Sequence, residues 1–457
     1  MPRAVALAVI LPFLFVMGAP TASFAAEWFV ASGGQGDGSR ATPFGRIQQG
    51  LDAARPGDIV SVAAGTFVES VSSSRNGEAR SPITLRAISG RGTVVITSRG
   101  RVVSIQHPHY VLDGLILDGQ YGADDIVRLT AAASGFTLRN TEVRRTSNDA
   151  IDLGSPTDVL IENCLIHHAL NAAGGRTDSH GIVASAVRRL VVRNTEIHTF
   201  SGDGIQLDPD RAAPGWTDVL IERCRIWLGP LSAAENGFPA GTTPGENAVD
   251  TKSNRRYGRA QITIRDTEAW GFHHGLIQNM AAFNLKESTD VLIDRVTVHD
   301  SEIAFRLRGP GPNDGVRVTI TNAVIYNSEV AFRYEDNIER LQIWNCTVGS
   351  GVMRAFVPAS SNQSGLNVQN LLVLGAALPP EAAGGSNRAV ASTSFVDAGA
   401  GHDYRLRPGS PAVDAGTTLP GVTVDRAGTP RPQGRAYDVG AYERPTQGSA
   451  SRRRPSR

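Results

Sequence analysis

The sequence predicts an all-β chain wound as a parallel β-helix, a solenoid with a helical cap at its N-terminal end and a second cap at its C-terminal end. Three observations carry this. An aliphatic-rich phrase ending in a polar residue returns roughly every 23 to 43 residues, a period of repeat architectures. Its copies read VLIENC at 159–164, LVVRNT at 190–195, VLIERC at 219–224, ITIRDT at 262–267, VLIDRV at 291–296, VTITNA at 318–323 and LQIWNC at 341–346. Between them come short Val/Ile/Leu runs broken by Gly, Asn and Asp, with no helical pattern long enough for βαβ layers. Glycine is abundant, at 49 of 457 residues, as many tight turns require.

Taken in chain order, residues 1–26 read as a secretory signal. Arg3 gives a positive start, Ala4 to Met17 an apolar stretch, and Ser23 to Ala26 a small-residue cleavage site. The mature product is therefore expected to be exported, periplasmic or extracellular, with no later segment apolar enough to span a bilayer. Residues 27–101 form the N-terminal cap and first coils. Trp28-Phe29-Val30 is a short strand, and Phe44, Ile47 and Leu51 suit one face of a short helix that Pro56-Gly57-Asp58 stops. Such a helix would cover the open end of a stacked core. The repeats run over 102–356, C-terminal coils and a cap over 357–445, and 446–457 is a basic tail too polar to fold alone.

Within the repeats, Asn140, Asn163, Asn194, Asp266, Asn322 and Asn345 fall near strand ends and should stack as a structural ladder at the bend. Cys164, Cys224 and Cys346 occupy equivalent places but never on adjacent rungs. At about 4.8 Å per rung the nearest two are about 9.6 Å apart, beyond the roughly 7 Å a disulfide allows. Three packed thiols are expected, with neither a bridge nor a Cys-ligated zinc.

A second strand in each coil bears the chemistry. Its copies align as 149–154, 180–185, 203–208, 247–252, 274–279, 303–308 and 330–335, and alternation sends the fourth and sixth places outward into two solvent-facing columns. One column reads Asp152, Val183, Gln206, Asp250, Ile277, Arg306, Arg333, and the other Gly154, Ser185, Asp208, Lys252, Asn279, Arg308, Glu335. Asp208, Asp250 and Lys252 should thus lie within one or two rungs, with Arg306 and Arg308 two rungs beyond and Asp203, Glu246 and Asn247 at the adjoining bend. Several acids close together can hold Ca²⁺, which takes six to eight oxygens, making Asp203, Asp208, Glu246 and Asp250 the metal candidates. Lys252 is the candidate base, and Arg306 and Arg308 are candidate clamps for a sugar carboxylate. These parts suit β-elimination on a uronic-acid polysaccharide. The insertion at 229–245, rich in Gly, Pro, Ser and Thr, should wall a cleft beside Lys252.

Taken with PGDIVSVAAGTF at 56–67, the coil phrases resemble the secreted pectate-lyase-like right-handed parallel β-helix superfamily over nearly all of the mature chain. Within it, ENAVDTK at 246–252 is similar to the acid-rich, lysine-bearing strand of polysaccharide lyase family nine, although that family's adjacent aspartates are not reproduced here. The resemblance implies Lys252 as the base beside an aspartate-bound calcium, with Asp203, Asp208 and Asp250 as the nearest ligands, and a pectate-like acidic polysaccharide as substrate.

Other readings stay open. A β-helix glycoside hydrolase needs two carboxyl groups across the bond, which Asp203 with Asp208 or Asp250 would supply, yet polygalacturonase-like Asn-Thr-Asp, Asp-Asp and Arg-Ile-Lys phrases are missing. An epimerase-like Asp-Pro-His-Asp is also missing, although Asp208-Pro209-Asp210-Arg211 is similar. A non-catalytic carbohydrate-binding protein would also present stacked charges. Trp216, Trp227 and Trp270 would either stack on sugars or pack in the body. His167-His168 and His273-His274, being adjacent in sequence, should point apart and share no ion. Lys plus Arg at 45 against Asp plus Glu at 44 argues against nucleic acid or an anionic membrane as partner, and a monomer is expected.

Overall fold

The computed structural model describes residues 25–172, 178–207, 215–308, 314–335, 338–359 and 365–445. Nearly all of the expected signal segment, Asp208 and the basic tail lie outside the described residues. The chain is a right-handed parallel β-helix built on a 13-stranded and a 22-stranded sheet, with in-register parallel pairing between consecutive coils. Among the described residues, no helix is long and apolar enough to cross a membrane.

The recurring phrase supplies the first sheet, and its middle aliphatic stacks rung on rung. Leu138, Ile161, Val192, Ile221, Ile264, Ile293, Ile320 and Ile343 are register partners in that order, and all are fully buried. Each such side chain contributes about 1.5–3 kcal/mol by leaving water. Phe283, Phe305, Phe332 and Phe356 form a parallel stack in the core of the second sheet, with centroids 5.4, 5.5 and 5.2 Å apart.

The polar residue closing each phrase has a backbone job. Asn140, Asn163, Asn194, Arg223, Asp266, Arg295, Asn322, Asn345 and Asn370 all sit at φ between 50° and 55°. One left-handed residue per coil turns the chain out of the first sheet, and Asn and Asp tolerate that region best. The expected ladder follows: Asn163 Nδ2 donates to Asn140 Oδ1 at 3.4 Å and Asn370 Nδ2 to Asn345 Oδ1 at 3.2 Å. One residue earlier, the outer face carries alternating charge along successive rungs: Asp113, Arg139, Glu162, Arg193, Glu222, Arg265, Asp294. Ion pairs at 2.9 Å (Arg139–Asp113), 2.7 Å (Arg193–Glu162) and 2.7 Å (Arg265–Glu222) join neighbours. A slip by one rung would place like charges together, so this ladder helps set the register. Cys164, Cys224 and Cys346 are buried, unbridged thiols, each pushed up to about 12 by burial.

At the N-terminal end a helix spans Ile47–Ala53, burying Ile47 and Leu51, while Phe44 precedes it. Glu69 receives the helix's first free amide, Ile47 N–H, at 2.8 Å. At the C-terminal end Arg431 and Glu443, both fully buried, pair at 2.7 Å. Arg431 also donates to Asn322 Oδ1 at 3.2 Å and to the Gly440 carbonyl at 2.9 Å, tying the terminal segment to the solenoid. Glu443→Ala strands a buried guanidinium, and a loss of about 3–5 kcal/mol in denaturant unfolding is the expected result.

Candidate active site

On the second sheet, Val249 and Thr251 are held in the body of the rod, so Asp250 between them projects from the opposite side of the strand. In-register stacking turns that middle position into a column: Arg128, Asp152, Val183, Gln206, Asp250, Asn284, Arg306, Arg333. Two residues upstream of each second strand, a parallel bend column holds Asp125, Asp149, His180, Asp203 and Asn247.

The column corrects the expected alignment at one rung. Asp250 pairs with Asn284, on the strand Ala281–Leu285, rather than with Ile277. The Gly-aliphatic wording of 274–279 imitates the second-strand phrase, but those residues form a bend and the strand starts later. Arg306 still lies two rungs beyond Asp250, as expected. The shift also introduces a residue that sequence reasoning missed: Lys286, whose ammonium sits 2.7 Å from Asp250 Oδ2. A usable signal existed, because AAFNLK at 281–286 matches IAFRLR at 303–308 and VAFRYE at 330–335, and their phenylalanines stack.

A second correction concerns solvent. The columns are not solvent-facing here: Asp203 is 1% and Asp250 3% exposed, with Gln206, Asn247 and Asn284 also buried. Asp203 accepts from Asn247 Nδ2 at 2.8 Å and from Gln206 Nε2 at 2.9 Å. Burial pushes its carboxyl up from the ordinary value despite both hydrogen bonds. Asp250 is pushed up to about 6, first by burial and then by the Asp203 charge, while Lys286 and Lys252 act against the rise. A folded-state carboxyl raised in this way adds stability below its unfolded value near 3.8, and that stability is lost as pH rises through about 6. Asp250→Asn should flatten this fall, read as the difference between unfolding temperatures at about pH 4 and about pH 7.

Lys252 is held by its backbone. Its N–H donates to the Leu207 carbonyl at 2.7 Å, and its own carbonyl accepts from the buried Trp216 indole at 2.8 Å. Its half-buried ammonium has no ion-pair partner among the described residues, unlike that of Lys286. Glu246 is buried at the same bend, its amide donating to the Gly202 carbonyl at 2.8 Å. Arg306 and Arg308 share Glu335, at 3.5 and 3.4 Å.

Calcium was expected at Asp203, Asp208, Glu246 and Asp250. Asp208 lies outside the described residues, and the other three form no group of convergent carboxylates among them. Asp250 Oδ1 is buried without a donor, as a cation ligand would be, but its other oxygen already holds Lys286. The carboxylates that do converge, with ligand oxygens within 4.8 Å of one another, are the buried Asp125, Asp149 and Asp152. By donor type and number this triad fits a hard cation better than the expected set. Arg128 now bridges Asp152 and Asp125 at 2.5 and 3.2 Å and would have to yield to the ion. Three rungs separate Asp152 from Asp250, about 14 Å.

The insertion at 229–245 walls the triad side rather than Lys252. Leu231 and Phe238 pack on Leu170, Glu235 accepts from the Tyr121 hydroxyl at 2.5 Å, and Asn236 donates to Ser147 Oγ at 2.9 Å. Trp227 and Trp270 belong to a continuous ring stack, His198, Trp227, Trp270, His299, Tyr326, with centroids 4.5 to 5.6 Å apart. Their faces are covered by neighbouring rungs, which leaves no face for a sugar. The histidine pairs converge, contrary to expectation: ring centroids lie 4.7 Å apart for His167–His168 and 4.8 Å for His273–His274. The cause is the left-handed backbone at His168 (φ 58°) and His274 (φ 53°), which redirects the second ring. A surface concavity of about 610 Å³ forms a trough on the outer face of the other sheet, between Leu220, Thr263, Leu292 and Thr319. It holds no lysine among its lining residues, and its Arg265 is already paired in the charge ladder.

No protein-family model matches the chain. No curated protein matches it either. Among solved structures, pectate lyase Pel9A is 16% identical, with the match covering 92% of this chain and 97% of that one at a TM-score of 0.53. An alginate lyase from Paenibacillus sp. str. FPU-7 is 16% identical over 70% of this chain and 94% of that one, TM-score 0.46. A rhamnogalacturonan lyase is 12% identical over 82% and 91%, TM-score 0.45. At such identities a likeness speaks to the fold. In fold, the chain is a right-handed parallel β-helix, the architecture for which pectate lyase Pel9A is a match.

Proposed function

We propose that this protein is an exported polysaccharide lyase that cleaves a uronic-acid-containing, pectate-like polymer by β-elimination. The observation that carries the reading is the clustering on two adjacent rungs of Asp250, Lys252 and Lys286, with Asp203 one rung before and Arg306 and Arg308 one rung after. Lys252, whose side-chain nitrogen makes no ion pair among the described residues, is the base that in its neutral amine form takes the proton from C5. The electron pair forms the C4–C5 double bond, and the C4–O bond breaks with its oxygen protonated from water. Lys286 holds Asp250 ionised and is itself positioned by that carboxylate, whereas Lys252 is positioned through its backbone bonds to Leu207 and Trp216. Arg306 and Arg308 clamp a substrate carboxylate through charge-assisted hydrogen bonds. Calcium, when bound by Asp125, Asp149 and Asp152, would supply positive charge to a carboxylate further along the polymer. No step above runs through it. The helix 47–53 and the segment 357–445 are read as the caps of a monomeric rod.

A second reading has one observation in its favour. Asp203 and Asp250 are two buried carboxyl groups raised together, the kind of pair a hydrolase requires. Incubation with pectate, alginate and glycosaminoglycans, with and without Ca²⁺, separates them. New absorbance from unsaturated uronate ends supports elimination, whereas reducing ends without that absorbance overturn it.

A further inference from the structure

We infer that Arg333 joins the Arg306–Arg308 clamp to form an anion subsite that takes the carboxylate of a sugar two residues along an acidic polymer from the one held at Lys252. The inference rests on the polysaccharide reading above and deepens it by specifying a run of acidic sugars rather than an isolated one. Arg306 and Arg333 are register partners on adjacent rungs, so their Cα atoms stand about 4.8 Å apart along the rod. Their Nε atoms are sealed from water, and neither has a hydrogen-bond partner among the described residues. Arg333 is steadied by Asn279 Oδ1, contributed by the 271–280 bend. Counting Arg308, three guanidiniums meet one carboxylate among the described residues, Glu335, which contacts Arg306 and Arg308 at 3.5 and 3.4 Å but is not paired with Arg333.

Dehydrated cations without a full counter-charge attract an anion, and the planar fork suits a carboxylate. Desolvation and the neighbouring Arg308 and Arg333 charges hold the Arg306 guanidinium below its ordinary range, the same field seen from the protein side. Position sets the length requirement. Arg306 lies two rungs and Arg333 three rungs beyond Asp250, about 10 and 14 Å. A sugar residue advances by about one rung, so a dimer seated at Lys252 ends a rung short of Arg306, while a trimer ends beside Arg306, toward which the Arg333 side chain reaches back through its bond to Asn279 of an earlier coil.

The test is calorimetric titration of dimers and trimers of galacturonate, mannuronate and guluronate into the intact protein, at fixed ionic strength. For the trimer bound most tightly, Arg333→Gln should weaken binding about tenfold, with little change for the matching dimer. Arg333→Lys, which keeps the charge but not the fork, should recover part of the loss and serves as the folding control. Unchanged trimer affinity in Arg333→Gln, or no binding of any oligouronate by the unaltered protein, overturns the subsite. Unsaturated-product absorbance on the same samples judges the lyase reading separately. Arg333-dependent trimer binding without that absorbance leaves the subsite standing and removes the elimination chemistry, and absorbance with Arg333-independent binding does the reverse.

Discussion

Lys252→Ala is expected to lose about 10²- to 10⁴-fold in kcat on the polymer that the protein cleaves, with its affinity for that polymer little changed. The size follows from removal of a positioned proton acceptor. The asymmetry between kcat and binding follows from where Lys252 sits: its backbone is pinned by Leu207 and Trp216, while its ammonium makes no ion pair among the described residues. Truncation therefore leaves neither a broken backbone bond nor an orphaned carboxylate. Steady-state kinetics on the polymer and titration with an oligosaccharide check the two halves. A variant with full turnover removes Lys252 from the chemistry.

The second large effect is expected at Lys286. Its ammonium is the direct partner of Asp250, 2.7 Å away, and that carboxyl already stands at about 6 because it is buried and shares its surroundings with Asp203. Lys286 holds the value down, so Lys286→Ala must raise it further. At pH 7 Asp250 then goes from mostly ionised to substantially protonated, and the acidic limb of the pH–rate profile moves up by about one unit or more. At pH 7 kcat falls, and raising the pH restores part of it. Lys286→Arg, which keeps the charge, should hold the limb in place. A profile unmoved by Lys286→Ala would mean that the ionisation of Asp250 does not govern turnover. Because truncation also strands a buried carboxylate, the unfolding midpoint of this variant is expected to fall as well.

The body of the rod was legible because each coil repeats the same physical instructions. The aliphatic at the third place of VLIENC and its copies had to stack, and Asn163, Asn194 and Asn345 had to turn the chain, which they do in the left-handed region. The neighbourhood of Asp250, Lys252 and Arg306 was legible for the same reason, since register fixes neighbours once the phrase is aligned. Alignment failed where two phrases competed. HGLIQN at 274–279 has the glycine and aliphatics of a second strand, but AAFNLK at 281–286 has the phenylalanine that continues the core stack, and packing decides. That one error hid Lys286.

Burial was not legible from alternation. Period two places Asp250 on the side away from the core, but it cannot tell that Lys286, Gln206 and Asn284 close over the acids. The acidic triad escaped for a different reason. Asp125 and Asp149 lie at the bend before the second strand, and only the stacking of two bends brings them to Asp152. Convergence of His167 with His168 was missed because a strand rule was applied where the backbone is left-handed.

The account turns on how the glycosidic bond is broken at the Asp250–Lys252–Lys286 cluster. Mass spectrometry of oligosaccharides released from pectate or alginate by the unaltered protein and by Lys252→Ala tests it most directly. The account predicts products one water lighter than the hydrolytic fragments, formed by the unaltered protein and not by the variant. Products of hydrolytic mass alone, or light products that persist in Lys252→Ala, would contradict it.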